Sequence, residues 1–485
     1  MKKVHDKPTE ACGVIGIFSN NPNFHVSKQI FDGLLALQHR GQESAGIFTN
    51  AAGRITGYKQ MGLVNQVFSE RTLMGLFGPV AIGHVRYGTV GSSTLDCAQP
   101  FLFESYGNGS FALAFNGTLT NFIPLKKKYR ELGHVFSTST DTEVIAHVIA
   151  KNLLQTKNNY LKALQLTMNE LDGSYSLILI NEKSEIYGVR DPLGFKPLTL
   201  GRVPDLNLEV LASESVAIEA LEGDCVRDVE PGEIIKIDES GVNSLRVFNL
   251  PQRAFCFFEF VYFARPDSII DGRCVYEVRE KLGRILARDF PVDADLVVPV
   301  PDSGRTAASG FSLESGIPLQ EGLMKNRYIH RTFIIPGQDY REIAVRYKLN
   351  PISRLIKDKD LILVDDSIVR GTTTKRIIKM LKHHGAKKVH VRISCPPIIN
   401  SCYMGIDFPT TSELIAPMYN KDVEKIRQFL DADSLYYQTF KGLLEAINLD
   451  ESDLCTACIT GKYKLKNSID LEELEKQLGN EKIST

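Results

Sequence analysis

No stretch of this 485-residue chain is apolar for long enough to cross a bilayer. The most apolar one, residues 255–264, falls well short of the roughly 20 residues a span requires, and it contains Glu259. The amino terminus has no apolar core either. Its lysines stand among Asp6 and Glu10, which excludes a secretory signal. Net charge is equally scarce, −1 from 57 Lys and Arg against 58 Asp and Glu, so neither nucleic acid nor a membrane is expected as a partner. Internal repeats and low-complexity segments are missing. What the chain does have is cysteine. Nine of them in a chain without an export segment point to thiol chemistry or to metal or cluster binding, not to disulfides, and the expected compartment is the cytoplasm.

The length allows two or three domains, each with its own core. In the first half, residues 12–18, 111–115, 175–180 and 185–189 read as strands, and 29–37, 141–154 and 160–171 as helices. That order suggests an α+β layered domain. From about residue 291 the pattern changes. Residues 295–300, 361–364 and 389–393 are continuous apolar strands, and helices follow the turn residues after the first two, which is the signature of a parallel α/β sheet. The boundary falls between 250 and 270, around Leu250, Pro251 and Gln252.

The sequence LILVDDSIVRGTT at 361–373 places two carboxylates, Asp365 and Asp366, at the carboxyl end of a buried strand. A loop of Ser367, Arg370, Gly371, Thr372 and Thr373 then opens a helix read over 375–381. Ligands of open α/β sheets bind at this end of the strands, with phosphate against the helix amino terminus. The paired acids suit sugar hydroxyls or a hard cation such as Mg²⁺. A second loop of this kind, with Asp302 and Ser303, follows the strand at 295–300. Two such loops suit a ligand with phosphates at both ends. Between them lies a basic segment that includes Lys325, Arg331 and Lys348. It reads either as a solvated loop or as a lid whose cations close over a polyanion.

Near the amino terminus Cys12 precedes a strand. A lone cysteine there is a small core residue or a nucleophile. Cys455 and Cys458 form a C-x-x-C pair, which taken alone fits a redox pair or half of a metal site, and Cys256 and Cys402 offer two further ligands for zinc or an iron–sulfur cluster.

The 365–373 loop resembles the phosphoribosyl pyrophosphate (PRPP) signature of type I phosphoribosyltransferases. With VPVPDSG at 298–304, KNRYIHRTFI at 325–334 and ARPDS at 264–268, the similarity narrows to the glutamine phosphoribosylpyrophosphate amidotransferase family. The first half agrees. LQHRGQE at 37–43, HVRYGT at 84–89, FNG at 115–117 and STD at 139–141 resemble the glutaminase domain of amino-terminal-nucleophile amidotransferases.

The resemblance implies a layered αββα glutaminase domain of the N-terminal nucleophile hydrolase type over 12–250. A propeptide, 1–11, precedes it. A type I phosphoribosyltransferase α/β domain over 251–460 and a tail over 461–485 follow. It implies that glutamine is hydrolysed at Cys12 and ammonia passed to PRPP, giving 5-phosphoribosylamine, glutamate and pyrophosphate at the entry to purine biosynthesis. By carry-over, Arg86 and Asp141 hold glutamine, and Asn116 with the Gly117 N–H forms the oxyanion hole. Ser303, Asp365 and Asp366 hold one Mg²⁺ per subunit. Asp302, Ser303, Lys325, Arg331, Lys348 and Asp365–Thr373 bind PRPP. Cys256, Cys402, Cys455 and Cys458 match the branch of the family that carries both a propeptide and one [4Fe–4S] cluster per subunit. Inhibition by purine nucleotides and a homo-oligomer, dimer or tetramer, are further implications. Three competing readings are an asparagine or aminosugar synthase, which has no use for the 361–373 loop, a PRPP-binding regulator, which has no use for Cys12, Arg86, Asn116 and Asp141, and an enzyme crippled in its glutaminase half that uses free ammonia.

Overall fold

The computed structural model describes residues 12–88, 93–105, 109–326, 349–406, 408 and 410–464. Its amino-terminal half is built on two antiparallel sheets. In the seven-stranded sheet Gly13–Ser19 lies between Leu208–Ala212 and Val80–Arg86. In the six-stranded sheet Gly109–Leu119 lies between Phe101–Ser105 and Gly173–Asn181.

Strand alternation sorts the side chains into layers. Val14, Phe18, Ala112, Ala114, Ile178 and Ile180 fill the space between the sheets. Ile15 and Ile17 face the other way and pack with Ile30 and Leu34 of the helix Ser27–Ala36. Phe111, Leu113 and Phe115 turn outward from the second sheet onto the helices Asp141–Gln155 and Tyr160–Glu170. The result is an αββα sandwich, as the sequence implied. The expected helices over 29–37, 141–154 and 160–171 lie within a residue or two of the observed ends.

The carboxyl-terminal half carries a parallel sheet in the order Leu296–Pro299, Asp360–Asp365, Lys388–Ile393, Ser434–Tyr437. Both faces are buried. Val297, Ile362 and Val364 pack toward the helices Val275–Asp289 and Arg305–Ser315, while Val298, Leu361 and Leu363 pack toward Thr372–His383. This explains why these strands read as unbroken apolar runs. The first two helices touch backbone to backbone: a Cβ on Gly283 would lie 1.8 Å from the Ala307 carbonyl oxygen, and one on Gly310 would lie 1.9 Å from that of Glu280.

Two features mark the start of the carboxyl-terminal half. Phe255–Cys256 pairs in parallel with Leu454–Cys455, bringing together the first and last segments of the carboxyl-terminal half. Immediately afterwards a π-helical turn, Glu259–Phe263, buries the one carboxylate of the apolar stretch. Among the described residues no helix is long and apolar enough to cross a membrane.

Candidate active sites and a four-cysteine site

Cys12 leads directly into the strand Gly13–Ser19, Arg86 ends the neighbouring strand, Gly117 lies near the end of Gly109–Leu119, and Asp141 opens a helix. All four line one recess, together with Gln99 and Thr142. The Cys12 thiol donates to the Tyr87 carbonyl at 3.5 Å. Burial raises its pKa, Tyr87 and Arg86 act to lower it, and Asp141 and Glu43 raise it further. At neutral pH the sulfur is therefore a thiol that needs a base beside it.

Asp141 is held by the Leu119 N–H at 3.3 Å, and burial pushes its carboxyl up to about 6 against those hydrogen bonds and Arg86. Arg86 donates to Glu43 at 3.0 Å, so the cation expected to meet a substrate carboxylate is already oriented by a neighbour. Asn116 is fully buried, and among the described residues neither its Oδ1 nor its Nδ2 has a hydrogen-bond partner. A buried amide left unpaired is rare, and here it adjoins Gly117. Only glycine fits at 117: a Cβ there would lie 2.0 Å from the Ser174 carbonyl oxygen.

In the second half Asp365, Asp366 and Ser367 are almost fully buried at the end of their strand. Ser303, from the other loop, donates to Asp366 Oδ1 at 2.5 Å, so the two loops meet. Ser367 also turns its hydroxyl onto Asp366. In this state that hydroxyl is therefore spent on the acid and not offered to a phosphate. Gly371 adopts φ 79°, where a Cβ would run into Ile415 at 2.4 Å, and opens the helix whose first turn holds Thr372 and Thr373. Arg370 pairs with Glu413 at 2.9 Å, and Lys325 with Asp302 at 2.5 Å. The residues expected to bind PRPP thus include two cations that carry acidic partners here. Arg331 and Lys348, like residues 1–11, lie outside the described residues.

All nine cysteines are free thiols. Cys256 and Cys455 are register neighbours in the parallel pair. Cys402 packs with Phe195, Met404 and Cys455. The carbonyl of Cys458 accepts from the Ile399 and Asn400 N–H groups at 2.8 and 3.1 Å. Burial holds the Cys458 thiol well above its usual range, and Cys402, Cys455, Cys395 and Cys256 add to the shift, so the four expected ligands share one neighbourhood with Cys395 beside them. Among the described residues no three His, Cys, Asp or Glu side chains are grouped to hold an ion. A cubane of iron and sulfide is wider than an ion, and its ligands stand further apart. Four soft thiols in an apolar pocket fit that donor set. The hard oxygens of Ser303, Asp365 and Asp366 fit Mg²⁺, which keeps waters and substrate oxygens in its remaining positions.

A family model described as a glutamine amidotransferase domain matches residues 91–220. The amidophosphoribosyltransferase of Methanocaldococcus jannaschii is 48% identical, with the alignment covering 97% of this chain and 100% of that protein. This chain belongs to the amidophosphoribosyltransferase family. A second family member, from Methanothermobacter thermautotrophicus, is 46% identical over 98% of each chain. The solved glutamine PRPP amidotransferase of B. subtilis, complexed with ADP and GMP, superposes with a TM-score of 0.86 at 41% identity, covering 95% of this chain and 98% of that one.

Two of the family motifs feed a buried charge network that sequence reasoning missed. Arg40 donates through Nε to the Cys12 carbonyl at 3.1 Å, and through both terminal nitrogens to Glu259 at 3.0 and 2.8 Å. It also pairs with Glu214, which accepts from His39 at 2.8 Å and from Ser268 at 2.5 Å. Burial alone would raise the Glu214 carboxyl, but His39 and Arg40 hold it far below the usual range. Arg279 then closes the π-helical turn by donating to the Phe260 and Ala264 carbonyls, each at 2.8 Å. Burial pulls Arg279 down to about 10, and the charge of Asp366 opposes that. Buried charges on Arg40, Glu259 and Arg279 therefore lie between Cys12 and the acid pair of the other half. One signal was available: a single carboxylate, Glu259, inside the most apolar run of the chain must find a buried cation.

Proposed function

We propose that this amidophosphoribosyltransferase hydrolyses glutamine at Cys12 and delivers the ammonia to PRPP bound over Asp365 and Asp366. The observation that carries this reading is the convergence of Cys12, Arg86, Gly117 and Asp141 on one recess, in the same chain as two strand-end loops joined by Ser303 and Asp366.

Removal of residues 1–11 frees the α-amine of Cys12 to take the proton from its own thiol, the base that a buried, raised thiol requires. Arg86 and Asp141 orient the carboxylate and ammonium of glutamine. Asn116 Nδ2 and the Gly117 N–H donate to the oxyanion that forms when the sulfur attacks the side-chain amide. One such donor is worth about 3 kcal/mol of barrier. In the other half Ser367–Thr373 cradle the 5-phosphate, the loop of Asp302 and Ser303 takes the pyrophosphate, and Lys325, Arg331 and Lys348 close over it. Ser303, Asp365 and Asp366 hold Mg²⁺, whose charge when bound offsets that of the departing pyrophosphate.

Cys256, Cys402, Cys455 and Cys458 hold a structural [4Fe–4S] cluster that ties the end of the chain to the start of the carboxyl-terminal half. This assigns the chain to the branch with both cluster and propeptide. A cytoplasmic homo-oligomer, dimer or tetramer, with purine nucleotides as inhibitors, completes the reading. The ADP and GMP of the B. subtilis complex support the last point.

Pyrophosphate release measured with glutamine and with ammonium, in the parent and in Cys12→Ala, tests the assignment. Only the glutamine-dependent rate is expected to vanish, by at least about 10⁴-fold. Loss of both rates, or of neither, overturns it. Intact mass and iron content of anaerobically purified protein test the processing and the cluster.

A further inference from the structure

Lys196 is fully buried, and among the described residues its ammonium has no hydrogen-bond partner. An unpaired charge inside a protein is costly, so one that is kept needs a reason.

Its position is fixed. Asp191 gathers the turn that precedes it, accepting from the N–H groups of Leu193 at 2.9 Å, Gly194 at 2.7 Å and Phe195 at 2.9 Å. The Lys196 carbonyl accepts from Ser176 Oγ at 3.0 Å and from Arg190 Nε at 2.9 Å. The turn is also stitched to the cysteine strand: Ala254 N–H donates to the Leu193 carbonyl at 2.8 Å, and Cys256 N–H to that of Phe195 at 3.4 Å. The side chain ends beside the loop that carries Cys402. A Cβ on Gly405 would stand 3.1 Å from Lys196 Cε, 3.3 Å from Nζ and 3.4 Å from Thr118 Oγ1, so Lys196 and the residue after Gly117 meet at that glycine. Burial raises the Cys256 and Cys455 thiols, and the Lys196 charge acts on both in the opposite direction.

We propose that Lys196 is the built-in counter-ion of the four-cysteine site, a fixed ammonium that stabilises the sulfurs as thiolates when the cluster is bound. The inference rests on the cluster reading above. Four ligating thiolates outweigh the positive charge of the iron–sulfide core, so the loaded site is a net anion that the ammonium faces from its rigid turn. Without the cluster the pocket holds no such anion and the ammonium stands alone. The same charge therefore stabilises the loaded form and destabilises the empty one.

The sign change is the test. Full-length protein is purified anaerobically as the parent, Lys196→Met and Lys196→Arg, and each is studied loaded and after iron removal by a chelator. Lys196→Met is expected to release iron roughly tenfold faster, as outer-shell substitutions at metal sites do. It should melt lower than the parent when loaded and higher when empty. Lys196→Arg, which keeps the charge, should behave like the parent. Shifts of one sign in both forms, or no shift in either, would mean that Lys196 merely fills space and would overturn the proposal. If Lys196→Met does not fold, iron retention in Lys196→Arg supports the proposal and iron loss in both variants overturns it. A parent protein without iron sinks the cluster reading itself, a result distinguishable from all of these.

Discussion

In the amino-terminal half, the groups around Cys12 reach one recess from strands and a helix far apart in sequence, and each is held by a neighbour: Arg86 by Glu43, Asp141 by the Leu119 N–H, the Cys12 carbonyl by Arg40. In the carboxyl-terminal half, Asp365 to Thr373 form one unbroken loop between a strand and a helix, and a contact of Ser303 with Asp366 links it to the other loop. The first arrangement suits covalent chemistry, where a sulfur, an oxyanion and a substrate amine must be placed independently to a fraction of an ångström. The second suits a polyanion gripped through its oxygens, where a run of hydroxyls and N–H groups suffices. The Arg40–Glu259 contact is one buried link between the two designs.

Substitutions that strike one half alone are the sharpest way to break this contrast. Asn116→Ala should lower the glutamine-dependent rate by roughly 10²- to 10³-fold and leave the ammonia-dependent rate intact. A matching fall in the ammonia-dependent rate would show that the halves are not chemically separate. Asp366→Asn should act in the other direction, cutting pyrophosphate release by about 10²-fold with either nitrogen source. Glutaminase turnover without PRPP, measured as glutamate formed, should survive it.

Glu259→Gln addresses the link. Removing one partner of a buried ion pair costs about 3 kcal/mol, read by denaturant unfolding, and Arg40 should then hold Cys12 less firmly. The glutamine-dependent rate should drop while the ammonia-dependent rate follows stability alone. Equal loss in both would make Glu259 a purely structural residue. The smallest effect is a pH dependence. Asp141 titrates at about 6, so its carboxylate fraction falls as pH drops through that value. The KM for glutamine should rise about tenfold between pH 7 and pH 5, as ionisation is lost tenfold per unit below the pKa. In Asp141→Asn the KM should be high and flat across the same range.

The same contrast explains what could be read from the sequence. The 361–373 loop is local, so its strand, acids, glycine and helix could be named in order. Strands buried on both faces announced the parallel sheet. The glutaminase residues lie on separate elements, and only resemblance to a family assembled them. The partners of Arg40 stayed hidden because Glu214 and Glu259 belong to different halves, and no periodicity brings them together. Lys196 was hidden for a different reason: a lysine in a turn reads as solvated, and only the packing of the cysteine loop over it buries the ammonium. The paired state of Ser367 was also illegible, since a hydroxyl next to two acids can turn either way.

The parallel pairing of Phe255–Cys256 with Leu454–Cys455 has a consequence for how the molecule is made. During synthesis the glutaminase half and Cys256 leave the ribosome long before Cys402, Cys455 and Cys458 exist, so the pocket can close only on a finished chain. A truncated product, however well its first half folds, presents an unpaired strand edge and a lone thiol in place of a site. The segment of Cys455 and Cys458 thus certifies that everything before it was made.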